Sequence, residues 1–275
     1  MNKLILLLIS LVYYVVVVTT HQVVGRFVAQ NLDKPLGRDN YNLVVMAVGL
    51  LSIIAVVLIL RKPFKNNLTA SDKRRIWFFS ALLAVLIVTA VNVIMVVNVE
   101  IIHIAQYCVL ALLLFPVLRN YNLVMLVTTI LGALDEAYQY WYLFPEWSDY
   151  YDFNDVIINF LGVVLGLIIV RIYGGEAVST SKTWYKTSFF YILMTLVLLS
   201  AIGLLSGFII LQPPSGDADQ GVLHLVRKYK PGFWRIIPPQ VKFHVVRPFE
   251  FVCIMAVLMG IFSQVGSISD RDSVG

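Results

Sequence analysis

Charge is what this sequence lacks most. Only 13% of its 275 residues are Asp, Glu, Lys or Arg, about half the share carried by a soluble domain. That excludes an ordinary water-soluble fold. Cysteine is nearly missing too: Cys108 and Cys253 both fall in apolar segments, where they read as small buried hydrophobes. They imply neither a disulfide framework nor a cysteine metal site. The signatures G-x-S-x-G and H-E-x-x-H are absent, so hydrolase readings have no support. No small-x-small cleavage site follows "VVVVTTHQ", which makes residues 1–20 an expected uncleaved anchor rather than a signal peptide. Long repeats and low-complexity tracts are missing, and the tail "GSISDRDSVG" reads as disordered.

What is there is apolar. Hydrophobic residues make up 59% of the chain and the mean hydropathy is +0.83. A membrane-crossing helix needs about 18–20 mostly apolar residues. Eight stretches approach or meet that, at about 4–19, 43–60, 76–97, 101–118, 123–143, 155–172, 188–211 and 249–264. The expected fold class is all-α, a polytopic transmembrane protein of about eight helices. The loop 61–75 carries Arg61, Lys62, Lys65, Lys73, Arg74 and Arg75 against one acid, Asp72. The positive-inside bias makes that loop cytoplasmic. Alternation then puts both termini inside, together with Arg119, Arg171, Lys182 and Lys186.

This orientation brings polar groups of three segments to one depth near the outer face. Glu100, His103 and Tyr107 open the fourth segment with i, i+3, i+7 spacing. Asp135, Glu136, Gln139 and Tyr140 close the fifth. Asp152, Asp155, Asn159, Gly162 and Gly166 draw one stripe down the sixth in steps of three and four. Gly162-x3-Gly166 is a small-residue face that admits a close neighbouring helix. An ionised group at helix centre costs about 2.5–3.5 kcal/mol, so these groups should face inward. Plainer readings stand beside this one. Asp152 or Asp155 caps the sixth helix, Asp149 is a solvated loop residue, Glu100 is interfacial, and His103 is a hydrogen-bonded packing residue. Tyr138, Tyr140, Trp141, Tyr142 and Trp147 suit an aromatic belt.

His103-x3-Tyr107, Asp135-Glu136-x2-Gln139 and Asp155-Val156-x2-Asn159-x2-Gly162-x3-Gly166 together resemble the VanZ-like membrane family, over residues 76–172. The resemblance implies a four-helix core at 76–172. Two helices and a basic loop (1–75) would precede it, and two helices with a long outer loop (173–275) would follow. It also implies a place in the bacterial envelope and low-level glycopeptide (teicoplanin) resistance, with no established reaction. Two family positions differ. Glu100 stands where a Lys is usual three residues before the His, and "YWYLFPEWSDYYDFN" has no basic residue where an Arg is usual.

Two chemistries fit the residues. "DYYDFND" spaces Asp149, Asp152 and Asp155 by three, with Glu136 nearby. Such carboxylates suit Mg²⁺ shared with a substrate phosphate, the metal candidates being Asp152, Asp155 and Glu136. Glu136, His103 and Asp155 are then the expected catalytic groups, with Glu136 or His103 as general base. Gln139, Asn159, Tyr107 and Asp152 would bind the substrate, a polyprenyl-phosphate-linked or other anionic envelope precursor. The metal-free alternative is a Glu136–Gln139–His103–Asn159 network in a carrier or binding protein. A structural envelope partner is the third reading. The outer loop 212–248 interleaves Arg227, Lys228, Lys230, Arg235, Lys242 and Arg247 with Tyr229, Phe233, Trp234 and Phe243. It suits lipid head groups or envelope polymers, not nucleic acid. It could also fold over the core and supply the cations that the core pattern lacks.

Overall fold

The structure is a computed structural model that describes residues 2–95, 98–145, 149–175, 187–211, 223–227, 234–237 and 241–269. The chain is mostly helical. Its long helices are α1 (Lys3–Val28), α3 (Arg38–Asn66), α4 (Ala70–Val93), α5 (Ile102–Leu118), α6 (Tyr121–Tyr138), α7 (Phe153–Ile172), α8 (Ser188–Leu205) and α9 (Pro248–Phe262), with a single turn α2 (Lys34–Leu36) after α1. Each of the eight apolar stretches lies largely within one long helix. Six of these helices carry windows long and apolar enough to cross a membrane. The other two are α5, which is apolar but has 17 residues, and α6, whose end carries Asp135 and Glu136. Of the polar groups singled out above, α5 holds His103 and Tyr107, and α6 holds Asp135 and Glu136.

Burial separates a core from its surround. In α7, 83% of the span is buried, against none of the α3 span and 6% of the α8 span. α7 packs on α4, α5, α6 and α9, and Val156, Ile158, Phe160, Leu161, Val163 and Val164 are almost fully enclosed. Only a helix surrounded by helices can be apolar on every side and still bury every side. α3 and α8 present Leu51, Ile53, Leu58, Leu198 and Leu199 outward, as lipid-facing helices do. α1 is tied to the core by two hydroxyls: Tyr13 donates to Gln106 O at 3.0 Å and Tyr14 to Leu131 O at 2.8 Å.

The tightest approach is between α5 and α7. A Cβ on Gly162 would lie 2.4 Å from Ile104 O, and one on Gly166 would lie 2.6 Å from Cys108 O. The expected small-residue stripe is therefore the α5–α7 seam. α5 turns sharply into α6 at Arg119, whose φ of 48° is left-handed. Asn120 caps α6 by accepting from Leu123 N at 2.9 Å.

The two ends of the bundle differ in charge. One end joins Asn67 to Ile172 O at 3.3 Å and Arg171 to Asp72 at 3.9 Å, and it gathers Lys3, Arg119 and Gly174 around one hollow. Gly266 packs on Tyr121 there. The opposite end carries the acidic residues. It also holds the departure from an all-helical fold, two small sheets formed after α8. β1 (Ile209–Ile210) runs parallel to β2 (Leu223–His224), and β3 (Trp234–Ile237) pairs antiparallel with β4 (Val241–His244). Lys182, Lys186, Trp147, Lys228, Tyr229, Lys230, Phe233 and the tail from 270 lie outside the described residues.

Candidate functional site

Three helix ends build the site. A short 3₁₀ turn, Asn98–Ile101, leads into α5 and sets His103 in its first turn. The last turn of α6 supplies Asp135 and Glu136, and the helix then widens into a π-turn over Gln139–Leu143. The first two turns of α7 supply Asp155 and Asn159. Asp135 and Asn159 are fully buried, and Tyr107, Glu136 and His103 nearly so.

Hydrogen bonds divide these groups. Tyr107 donates to Asp135 Oδ2 at 3.0 Å. Gln139 Nε2 donates to Asp135 Oδ1 at 3.3 Å and to Glu136 Oε1 at 3.1 Å, so one amide bridges both carboxylates. Asn159 Oδ1 lies 2.9 Å from His103 Nδ1. With the Asn159 amide oxygen on the ring, Nδ1 carries the hydrogen, and a neutral ring then has its lone pair on Nε2. Nε2 faces Asp155 Oδ2 at 3.9 Å, beyond direct hydrogen-bond range. One ligand atom each of His103, Glu136 and Asp155 lie within 4.8 Å of one another. These are the residues that could hold a metal. They are also the three expected as catalytic, brought together from α5, α6 and α7.

The expected binding residues fare differently. Gln139 is half-buried beside the cluster, whereas Tyr107 and Asn159 are enclosed and point at Asp135 and His103. Asp152 caps α7, accepting from Asn154 N at 3.0 Å. It is outside the three-residue cluster. Burial and the neighbouring Asp155 carboxylate push its pKa up to about 7, opposed by backbone hydrogen bonds and by His103. A raised carboxyl pKa stabilises the fold fully below the unfolded value and loses that contribution as pH climbs through the folded one. In EDTA-treated protein the melting temperature is expected to rise as pH falls from 8 to 5. Asp152→Asn should flatten that slope. Asp155, His103, Glu136 and Tyr150 also face this region, and a slope unchanged in Asp152→Asn would assign it to them.

Asn154 and the cover over the acidic turn carry weight that the sequence does not advertise. Asn154 is buried and fully used. Its Nδ2 donates to Ile94 O at 2.9 Å and to His244 O at 2.8 Å, and its Oδ1 accepts from Val246 N at 2.9 Å. Its sequence signal is an amide beside the capping aspartate, set one position off the polar stripe. The segment 223–227 runs along the turn 149–151, with Tyr151 N donating to Leu225 O and Arg227 N to Asp149 O. Arg227 stacks 4.1 Å above the Tyr140 ring and donates to Pro145 O. Arg235 lies 4.3 Å over the Tyr150 ring and 3.3 Å from Asp149. Within 212–248, Arg227 and Arg235 thus do lay cations against Tyr140, Tyr150 and the 149–151 turn, and Asp149 is ion-paired rather than simply solvated. Burial, with the negative charge of Asp152, raises the Tyr150 hydroxyl pKa, against a smaller opposing pull from Arg235. No family model, curated protein or solved structure matches the chain.

Proposed function

We propose that this chain is a VanZ-like integral membrane protein of the bacterial inner or plasma membrane. At its envelope face it binds or acts on a lipid-linked anionic precursor or a glycopeptide-related target. The convergence of His103, Glu136 and Asp155 from three helices within 4.8 Å carries this reading. Ionisable groups enclosed among membrane-crossing helices are costly and mark function by default. The basic end of the bundle, with Lys3, Arg119 and Arg171, supports a cytoplasmic placement of that end and of both termini. The acidic end then faces outward, where polyprenyl-phosphate-linked intermediates present their head groups. Arg227 over the Tyr140 ring and Arg235 over the Tyr150 ring are the nearby cations for such an anion.

A host made teicoplanin-tolerant by this chain tests the proposal. Glu136→Gln and Asp155→Asn keep side-chain shape and remove charge. Both are expected to abolish at least 90% of the tolerance while membrane insertion and melting temperature stay near wild type. Full tolerance in both variants would overturn the reading.

One observation favours a carrier as the second reading. Tyr107, Asp135, Gln139 and Glu136 form a continuous hydrogen-bond chain that runs from buried Tyr107 to half-buried Gln139, the kind of relay that proton-coupled carriers use. Turnover of a labelled precursor in detergent, where no second compartment exists, separates enzyme from carrier.

A further inference from the structure

We infer that His103, Glu136 and Asp155 bind one divalent transition-metal ion of the Zn²⁺ class, with an open coordination position for an oxygen of an anionic ligand. The inference rests on the site reading above and gives it a chemistry, but it does not depend on which precursor is bound.

The donor set is the first argument. One ring nitrogen of His103 and one carboxylate oxygen each from Glu136 and Asp155 lie within 4.8 Å of one another, on three different helices. The Nε2–Oδ2 separation of 3.9 Å is too long for a hydrogen bond. Ligands at about 2.0–2.2 Å around a tetrahedral ion stand roughly 3.4 Å apart. Small rotations of two carboxylate side chains close that difference without moving a helix.

The orientation of the imidazole is the second, independent argument. With its amide oxygen on the ring, buried Asn159 accepts from Nδ1, so in the neutral ring Nε2 holds a lone pair facing Asp155 at 3.9 Å. A cation there, whether a ring proton or a metal ion, offsets the charge that the Glu136 and Asp155 carboxylates gather around it. Metal-bound histidines are oriented in this way, by an outer acceptor on the second ring nitrogen. Gln139 plays the corresponding part for Glu136 through Oε1. The Gly162 approach to Ile104 lies one turn below, and it fixes the height of His103 against Asn159.

The nature of the donors selects the ion. Mg²⁺ and Ca²⁺ take oxygen ligands, whereas imidazole with two carboxylates suits Zn²⁺ and its neighbours. This departs from the Mg²⁺ site expected around Asp152 and Asp155, because Asp152 is occupied as the helix cap. Three protein ligands leave a position open, the pattern of reactive rather than structural zinc sites. A phosphate oxygen arriving beneath Arg227 and Arg235 would complete it.

The test uses the full chain in nanodiscs, stripped with EDTA and titrated with metal alone. The expected result is one Zn²⁺ per chain, with Mg²⁺ and Ca²⁺ at least about 100-fold weaker. His103→Ala, Glu136→Gln and Asp155→Asn should each weaken Zn²⁺ by about 100-fold or more, and Asn159→Ala by about 10–100-fold. Co²⁺ added to the unmutated chain should give the visible bands of a four- or five-coordinate site, which keeps the test decisive if a variant misfolds. No stoichiometric Zn²⁺, equal affinity in Asp155→Asn, or a purely six-coordinate aqueous Co²⁺ spectrum would overturn the inference and leave a shared proton in its place. Tight Zn²⁺ binding by a chain that confers no tolerance would overturn the envelope reading alone. Tolerance from a chain that binds no Zn²⁺ would overturn the metal alone.

Discussion

Gly162→Ala is expected to destabilise the nanodisc-held protein by about 1–3 kcal/mol and to abolish whatever the acidic end does. The added methyl would sit 2.4 Å from Ile104 O, 2.9 Å from its Cα and 3.0 Å from its carbonyl carbon. All three are backbone atoms, so no rotamer change relieves the clash and the helices must part. His103 is the neighbour of Ile104, and the parting carries it away from Asp155 and Asn159. Between helices in lipid, association comes from packing rather than from water exclusion. Lost contact at this seam therefore has no hydrophobic compensation. Gly260→Ala is the control, since nothing lies within 4 Å of its would-be Cβ. Equal melting temperatures for the two variants would refute the seam. Gly132→Ala should fall between them, because its new methyl meets side-chain atoms of Asn159 and Tyr107 at 3.2–3.4 Å.

Asn154→Leu should cost at least as much, and by a different route. It removes two donors and one acceptor that no neighbour replaces. Ile94 O, His244 O and Val246 N each lose a partner, and a buried polar group left unsatisfied costs about 1–3 kcal/mol. Two of the three lie at the end of β4 and the approach to α9. The expected outcome is faster proteolysis within 212–248 and a lower melting temperature. Asn154→Asp retains the acceptor for Val246 N and should fall between. If Asn154→Leu leaves the 212–248 segment as resistant as wild type, the amide is not its anchor.

Much of this was readable in the chain, for a physical reason. In lipid a helix announces itself by continuous apolarity, and each of the eight stretches falls largely in a long helix of the described residues, six of them long and apolar enough to cross a membrane. Their ends were less legible. α1 runs to Val28 and α3 starts at Arg38, well past the apolar windows of 4–19 and 43–60. Backbone hydrogen bonding continues a helix into polar residues once it has started. His103, Glu136, Gln139, Asp155 and Asn159 stood out because each interrupts an apolar face. Asp135 was harder to place. It lies about 100° from Glu136 on the helix, and the Gln139 amide nonetheless holds both. Asn154 gave only the faint signal of an amide near the capping aspartate, and the small sheets gave none, since their partners are main-chain groups distant in sequence. Strands of two to four residues are also too short to show an alternating pattern.

The pairing of 223–227 with the 149–151 turn has a consequence for how the molecule is made. His103, Glu136 and Asp155 all precede residue 160, and the segments laid along the 149–151 turn all come after residue 205. A nascent chain held on the ribosome with α8 just inserted would possess the complete three-residue cluster and none of the strands beside its 149–151 turn. The residues proposed to hold the metal are then in place before Arg227 and Arg235 make their contacts at Tyr140, Tyr150 and Asp149.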